Sequence, residues 1–108
     1  MSALHSPFAA AHRFTPADAE QLAAALRVVA DPARLRILAL LAEHGALTVT
    51  ALVPLLGLAQ ATVSHHLRAL HTADLIQARK TGSEIERTLN ALAIERLAGL
   101  LSPYGSRR

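Results

Sequence analysis

The sequence predicts a mainly α-helical domain in which a helix-turn-helix pair is followed by a β-hairpin, and three observations support this fold class. Residues 58–76 match a short turn and one amphipathic helix, with Val63, Leu67 and Leu70 spaced four and three residues apart on its apolar face. Residues 48–57, just before it, have the length of a first short helix. Residues 78–87, just after it, contain the basic turn ARKTGSEIER. This order of elements is typical of a winged helix-turn-helix and indicates DNA binding.

The polar face of the second helix carries the side chains that we expect to contact DNA. Small or fork-shaped donors and acceptors reach base edges and phosphates in a major groove. Those on this face are Gln60, Thr62, Ser64, His65 and Arg68. Arg79 and Lys80 add positive charge on the hairpin, where phosphate contacts are expected. The charge pattern alone is equally well explained by a solvated basic face that meets no nucleic acid.

Two helices are predicted before this pair, each beginning with a capping residue and a proline. Thr15 with Pro16 predicts a start, and that helix extends to about residue 30. Asp31 with Pro32 repeats the signal, and Gly45 ends the second helix. The apolar stripes expected to face the core are Leu22, Ala25, Leu26 and Val29 on the first helix and Leu35, Leu38 and Leu41 on the second.

The remaining elements follow from local signals. Residues 46–47 predict a short strand, Thr48 caps the next helix and Gly57 ends it. Pro54 lies inside that helix, so we expect it to be short or kinked. Residues 75–80 and 84–89 predict a strand pair turned through residues 81–83, and a last helix is predicted over residues 91–101.

Composition predicts one domain that pairs with a second copy. The chain has 108 residues, of which 52% are hydrophobic and 3% aromatic, leaving more apolar surface than a small monomer hides. We expect an N-terminal arm over residues 1–14, a domain over residues 15–101 and a tail over residues 102–108. The predicted homodimer interface consists of Leu22, Leu26, Leu97, Leu100 and Leu101. The alternative is that these leucines complete the core of one chain.

Several classes of protein are excluded by composition. The chain has no cysteine, which rules out disulfides, thiolate zinc sites and cysteine catalysis. No apolar run reaches the roughly 18 residues of a membrane span and no signal peptide is visible, so we expect a cytoplasmic protein without membrane contact. Catalysis is not expected either: Ser64 and His65 are neighbours on a helix and point about 100° apart, and no glycine-rich phosphate loop is present.

Three stretches carry a family resemblance: LRVVADPARLRILALL, then TVTALVPLLGLAQATVSHHLRALHTADLI, then ARKTGS. Over about residues 20–101 the chain resembles the ArsR/SmtB family of bacterial transcription regulators. The resemblance implies a dimeric winged helix-turn-helix protein, usually a repressor that leaves its operator when a metal ion or another inducer binds. It also implies that Ala59 replaces the serine that often caps the reading helix. The DNA-reading positions it implies are Gln60, Ala61, Ser64 and His65, with Arg79 and Lys80 on the wing.

The two metal sites of the family are expected to be missing. Thr48-Val49-Thr50 stands where sensors of thiophilic metals carry Cys-Val-Cys, and hydroxyls are poor ligands for soft ions. Asn90-Ala91-Leu92 stands where other sensors carry Asp-x-His.

Imidazole groups are the ligands that remain for a metal ion. His5 and His12 on the arm are the candidate metal ligands, and imidazole suits nickel or zinc. His44 and His71 are interpreted as surface residues, and His66 as a residue that either packs in the core or supports a neighbouring site residue. Two alternatives stay open: a co-regulator whose effector response depends on a partner protein, and a regulator of a non-metal signal.

Overall fold

The computed structural model describes residues 14–101, with the side chains of Leu100 and Leu101 left out. Within this range five helices and three strands follow the predicted order. The helices are α1 (Pro16–Val29), α2 (Pro32–His44), α3 (Val49–Leu56), α4 (Gln60–Thr72) and α5 (Ala91–Leu101), and the strands are β1 (Leu47–Thr48), β2 (Ile76–Thr81) and β3 (Glu84–Leu89). The predicted tail and the metal candidates His5 and His12 lie outside the described residues, as does the predicted arm apart from residue 14.

The first two helices begin at the predicted caps. The Thr15 hydroxyl accepts a hydrogen bond from the Asp18 backbone N–H at 3.1 Å, and the Asp18 carboxylate accepts one from the Thr15 N–H at 2.9 Å. This reciprocal capping box satisfies two backbone donors that a helix start leaves open. Asp31 caps α2 by a single hydrogen bond, its carboxylate accepting from the Arg34 N–H at 3.1 Å. Gly45, at φ +87°, ends α2, because only glycine adopts such a conformation without strain.

The helix α3 is short, as the interior proline predicts. It has eight residues, with Pro54 in its last turn. The Thr48 hydroxyl accepts from the Ala51 N–H at 3.1 Å and caps its start. Gly57 ends it in the left-handed conformation, with its N–H donating to the Val53 carbonyl at 2.9 Å. These signals lie close together in sequence, which leaves room for only two turns.

The strands form one antiparallel sheet in the order β1-β3-β2. The hairpin register pairs Ile76 with Leu89 at its base and Lys80 with Ile85 near its tip. Leu47 of β1 pairs with Arg87 of β3. Buried Ile76 attaches the base of the hairpin to the core, whereas the other residues of β2 are exposed. The hairpin therefore projects as the predicted wing.

The core lies mainly between α2, α3 and α4, and buried residues of α1, β2 and α5 complete it. The predicted apolar face of α4 is confirmed, since Val63, Leu67 and Leu70 are at most 2% exposed. The stripe predicted on α2 is partly wrong, because Leu35 is 52% exposed while Ile37 is fully buried. The helix contacts α1, α3, α4 and β3, so its buried face is broader than the stripe and is centred elsewhere.

Two leucines assigned to the dimer interface are already buried within one chain. Leu22 of α1 and Leu97 of α5 are 8% and 9% exposed and belong to the core cluster, and Leu26 packs against that cluster. Contacts within one chain therefore cover most of the surface of Leu22 and Leu97. A second copy was expected to cover that surface. The dimer interface itself stays a prediction. None of the helices described is long and apolar enough to cross a membrane.

Candidate nucleic-acid interface

The rotation of α4 is set by its buried face, and this decides which side chains face outward. At about 100° per residue, Ala61, His65 and Arg68 lie opposite Val63 and Leu67. The structure leaves Gln60, Ala61, Thr62, His65 and Arg68 exposed and Ser64 half-buried. All six positions of α4 that were predicted to contact DNA therefore lie outside the core.

The start of α4 lacks a side-chain cap, as predicted from Ala59. The residue adopts the extended conformation of a capping position, φ −65° and ψ 151°, but its methyl group accepts no hydrogen bond. By contrast, Thr15, Asp31 and Thr48 each accept one at the start of their helices. Backbone N–H groups in the first turn of α4 remain available to an anion such as a DNA phosphate.

The wing carries an ion pair that sequence reasoning missed. The guanidinium Nη2 of Arg79 lies 3.1 Å from the Glu86 carboxylate Oε1. The two residues are directly opposite in the β2–β3 register, which the position of the turn at Gly82 could have indicated. Lys80, next to Arg79, is exposed. The predicted phosphate contacts Arg79 and Lys80 both lie on the projecting hairpin, but the positive charge of Arg79 is shared with Glu86.

The two histidines on α4 have different surroundings. His65 is exposed, whereas His66 is half-buried, and their ring centroids lie 5.7 Å apart with the planes tilted by 59°. The Nδ1 atom of His66 accepts a hydrogen bond from Nε of Arg34 at 3.0 Å. His66 was interpreted as a packing or supporting residue, but its bond to α2 has no signal in the sequence because the partners are 32 residues apart.

The family's metal positions serve as helix caps in this chain. The hydroxyl of Thr48 caps α3. The side chain of Asn90 accepts from the Ala93 N–H at 3.4 Å and donates to the Asp74 carbonyl at 2.9 Å, joining the start of α5 to the turn that follows α4. Across residues 14–101 no three histidine or carboxylate side chains lie close enough to hold a metal ion. Thr48 and Asn90 are therefore both engaged in hydrogen bonds within the fold.

Comparison with known proteins agrees with this geometry. The sequence pattern of bacterial regulatory proteins of the arsR family matches residues 31–78. An HTH-type transcriptional regulator of Methanocaldococcus jannaschii is 42% identical over 64 residues, which are 59% of this chain and 72% of that protein. The arsenical resistance operon repressor of Staphylococcus xylosus is 37% identical over 71 residues, 66% of this chain and 67% of that repressor.

The transcriptional repressor PagR of Bacillus anthracis is similar in both sequence and structure. Its sequence is 34% identical over 92 residues, 85% of this chain and 92% of PagR. Its crystal structure superposes with a TM-score of 0.70 at 33% identity, covering 82% of this chain and 100% of that one. Together with the exposed face of α4 and the projecting wing, these similarities show that the chain belongs to the ArsR family of DNA-binding transcriptional regulators and is not an enzyme.

Proposed function

We propose that this protein binds its operator as a homodimer, with α4 in the major groove and the wing on the DNA backbone. The proposal rests mainly on the burial of Val63, Leu67 and Leu70. Because these side chains pack into the core, the opposite face of α4 is the one that remains accessible to DNA. In this family of folds the N-terminal part of the second helix meets base edges. That part of α4 carries Gln60, Ser64 and His65 on accessible positions.

Each side chain receives a role from its chemistry. Gln60, Ser64 and His65 supply donors and acceptors for base edges, and Ala61 and Thr62 allow close approach or contact with a thymine methyl group. The positively charged side chains of Arg68, Arg79 and Lys80 contact the DNA phosphates. A regulator with these roles acts on double-stranded operator DNA in the cytoplasm.

A second copy is proposed to pack against α1 and α5. A groove of about 480 Å³ between these helices is lined in part by Leu22, Ala25, Ala93 and Leu97. Helical dimers of this fold bind two half-sites about one DNA turn apart, so the operator should be nearly palindromic. The interface proposed here comprises the accessible edges of Leu22, Leu26 and Leu97 together with Leu100 and Leu101.

The experiment begins with operator selection from a random duplex library, followed by fluorescence anisotropy with the selected duplex. Gln60→Ala and His65→Ala should each cost about 1 to 3 kcal/mol of binding free energy and relax base preference. His71→Ala is the matched control, because His71 is also an exposed histidine of α4 but lies near its C-terminal end. Unchanged affinity in a triple alanine variant of Gln60, Ser64 and His65 would exclude this reading surface.

The proposed effector is nickel or zinc, bound by His5 and His12. Imidazole ligands suit these ions. The similarity to an arsenical resistance operon repressor supports the proposal that this chain also responds to an inorganic ion. Calorimetric titration of the full chain with each metal, with and without operator, tests this, since an effector must bind the two states differently. The double variant His5→Ala/His12→Ala should lose metal binding, and His44→Ala/His71→Ala should keep it.

A non-metal signal or a partner protein is the second candidate for control. It is favoured by the capping roles of Thr48 and Asn90, which occupy the family's metal positions. Under this hypothesis nickel and zinc leave operator affinity unchanged. A metal-dependent change in operator affinity would reject it.

A further inference from the structure

One arginine joins three helices and contacts the reading helix near its middle. Arg34 lies in the first turn of α2, and its Nε donates to Nδ1 of His66 on α4 at 3.0 Å. Its Nη1 donates to the backbone carbonyl of Val28 in the last turn of α1 at 3.3 Å. Its backbone N–H donates to Asp31. The guanidinium is therefore held between the end of α1 and the side chain of His66.

We propose that Arg34 is a positioning residue for DNA recognition, which fixes the ring of His66 and through it the ring of His65. The inference rests on the proposed function, in which His65 reads a base. Arg34 does not itself touch DNA in this scheme. It acts from the side of α4 that faces α2, while the reading side chains lie on the accessible side.

The chemistry of the Arg34 contact specifies one form of His66. A guanidinium only donates hydrogen bonds and keeps its charge at any ordinary pH. Nδ1 of His66 must therefore be the bare nitrogen, and the neutral ring carries its proton on Nε2. Because the guanidinium also bonds to the Val28 carbonyl, the planar group has little freedom to follow a different ring orientation.

The position of the His66 ring limits that of His65. The two ring centroids are 5.7 Å apart, so rotation of the His66 ring toward its neighbour would crowd the orientation His65 now has. Removing Arg34 frees the His66 ring and leaves a half-buried acceptor without its charged donor. The expected result is a wider range of His65 orientations, and hence weaker discrimination at the base that His65 reads.

The test measures affinity and base discrimination with the selected operator and with a duplex changed at the base pair that His65→Ala affects most. Arg34→Met should weaken operator binding about tenfold, the size expected when a hydrogen bond from a charged group is lost. It should also reduce discrimination between the two duplexes. His66→Leu should behave alike, and so should His66→Gln, which keeps a side-chain acceptor for Arg34 but lacks the ring that lies beside His65. The double variant Arg34→Met/His66→Leu should bind no more weakly than either single variant.

Arg36→Met is the matched control. Arg36 lies two residues further along α2 and donates to the Leu55 and Leu56 carbonyls at 3.1 and 3.3 Å, at the end of α3. A merely structural role for Arg34 predicts that both arginine variants lower the melting temperature and leave discrimination unchanged. The inference predicts that Arg34→Met alone lowers discrimination.

Nitrogen-15 NMR of the full-length wild-type protein supplies a test that needs no variant to fold. Long-range correlations should show a bare Nδ1 and a protonated Nε2 in His66. A proton on Nδ1, or wild-type discrimination in Arg34→Met, overturns the inference. If His65→Ala leaves discrimination intact, the proposed function fails and the inference with it. If His65→Ala reduces discrimination and Arg34→Met does not, the inference alone fails.

Discussion

The side-chain carboxylate of Asp31 accepts a hydrogen bond from the backbone N–H of Arg34, with Oδ1 3.1 Å from the nitrogen. This bond caps α2 at the residue whose guanidinium reaches α4. It is also the main reason why the pKa of Asp31 is lowered from its ordinary value. The start of α2 is therefore sensitive to acid.

The first prediction concerns that sensitivity. A carboxylate with a lowered pKa stabilises the fold above its unfolded pKa, about 4, and this stabilisation is lost as the pH falls through the lower folded value. Asp31→Asn keeps a capping oxygen but cannot titrate, so its free energy of unfolding should fall less than that of the wild type below about pH 4. Urea unfolding at a series of pH values measures this. Glu43→Gln, at the far end of α2, should follow the wild type, and an unchanged acid dependence in Asp31→Asn would contradict the assignment.

The second prediction concerns the uncapped start of α4. Ala59 already has the backbone conformation of a capping residue, so Ala59→Ser should add a hydroxyl acceptor without moving the chain. The expected gain is about 1 kcal/mol in the free energy of unfolding, measured by urea denaturation. Ala61→Ser adds the same hydroxyl inside the helix and should bring no gain. Equal effects of the two variants would show that capping is not the cause.

The third prediction separates the core role of Leu97 from its role in a dimer. Leu97→Ala should cost roughly 2 to 5 kcal/mol of unfolding free energy because it opens a cavity in the core. Leu92 lies on the same helix and is 58% exposed, so Leu92→Ala should change stability by about 0.5 kcal/mol or less. Leu97→Glu should prevent folding or assembly, because its charge would be buried without a partner.

Unfolding measured at several protein concentrations shows whether Leu97→Ala destabilises the single chain alone or the dimer as well. If Leu97 stabilises only the single chain, the loss should be the same at low and high protein concentration. A loss that grows as the protein is diluted means that the dimer also depends on this residue. A Leu97→Glu variant that sediments as an undisturbed dimer would exclude Leu97 from the interface.

The fourth prediction concerns the ion pair on the wing. Arg79→Ala should weaken binding to all duplexes alike and reduce the slope of log affinity against log salt concentration by about one unit. Glu86→Gln should raise affinity at low salt, because the guanidinium of Arg79 no longer shares its charge with a carboxylate. Glu84→Gln removes the same charge from the first residue of β3 and controls for the change in net charge. Weaker binding by Glu86→Gln than by Glu84→Gln would show instead that Glu86 holds Arg79 in the orientation DNA requires.

Helix boundaries and the identity of the reading helix were determined by the sequence itself. Thr15, Asp31 and Thr48 start helices, and Gly45 and Gly57 end them, because capping and left-handed turns depend only on residues a few positions apart. The apolar face of α4 was also predictable from nearby residues alone, since its apolar residues recur at the spacing of helical turns. The hairpin was predicted to within one residue at each end of its first strand.

Tertiary structure alone decided which apolar and polar groups meet. It buries Ile37 and exposes Leu35, although both are apolar residues of α2, because neighbouring helices determine which face is covered. It also brings Arg34 to His66 across 32 residues of sequence. Periodicity places a side chain on a face of its own helix, but only the packing of one helix against another determines what that face touches.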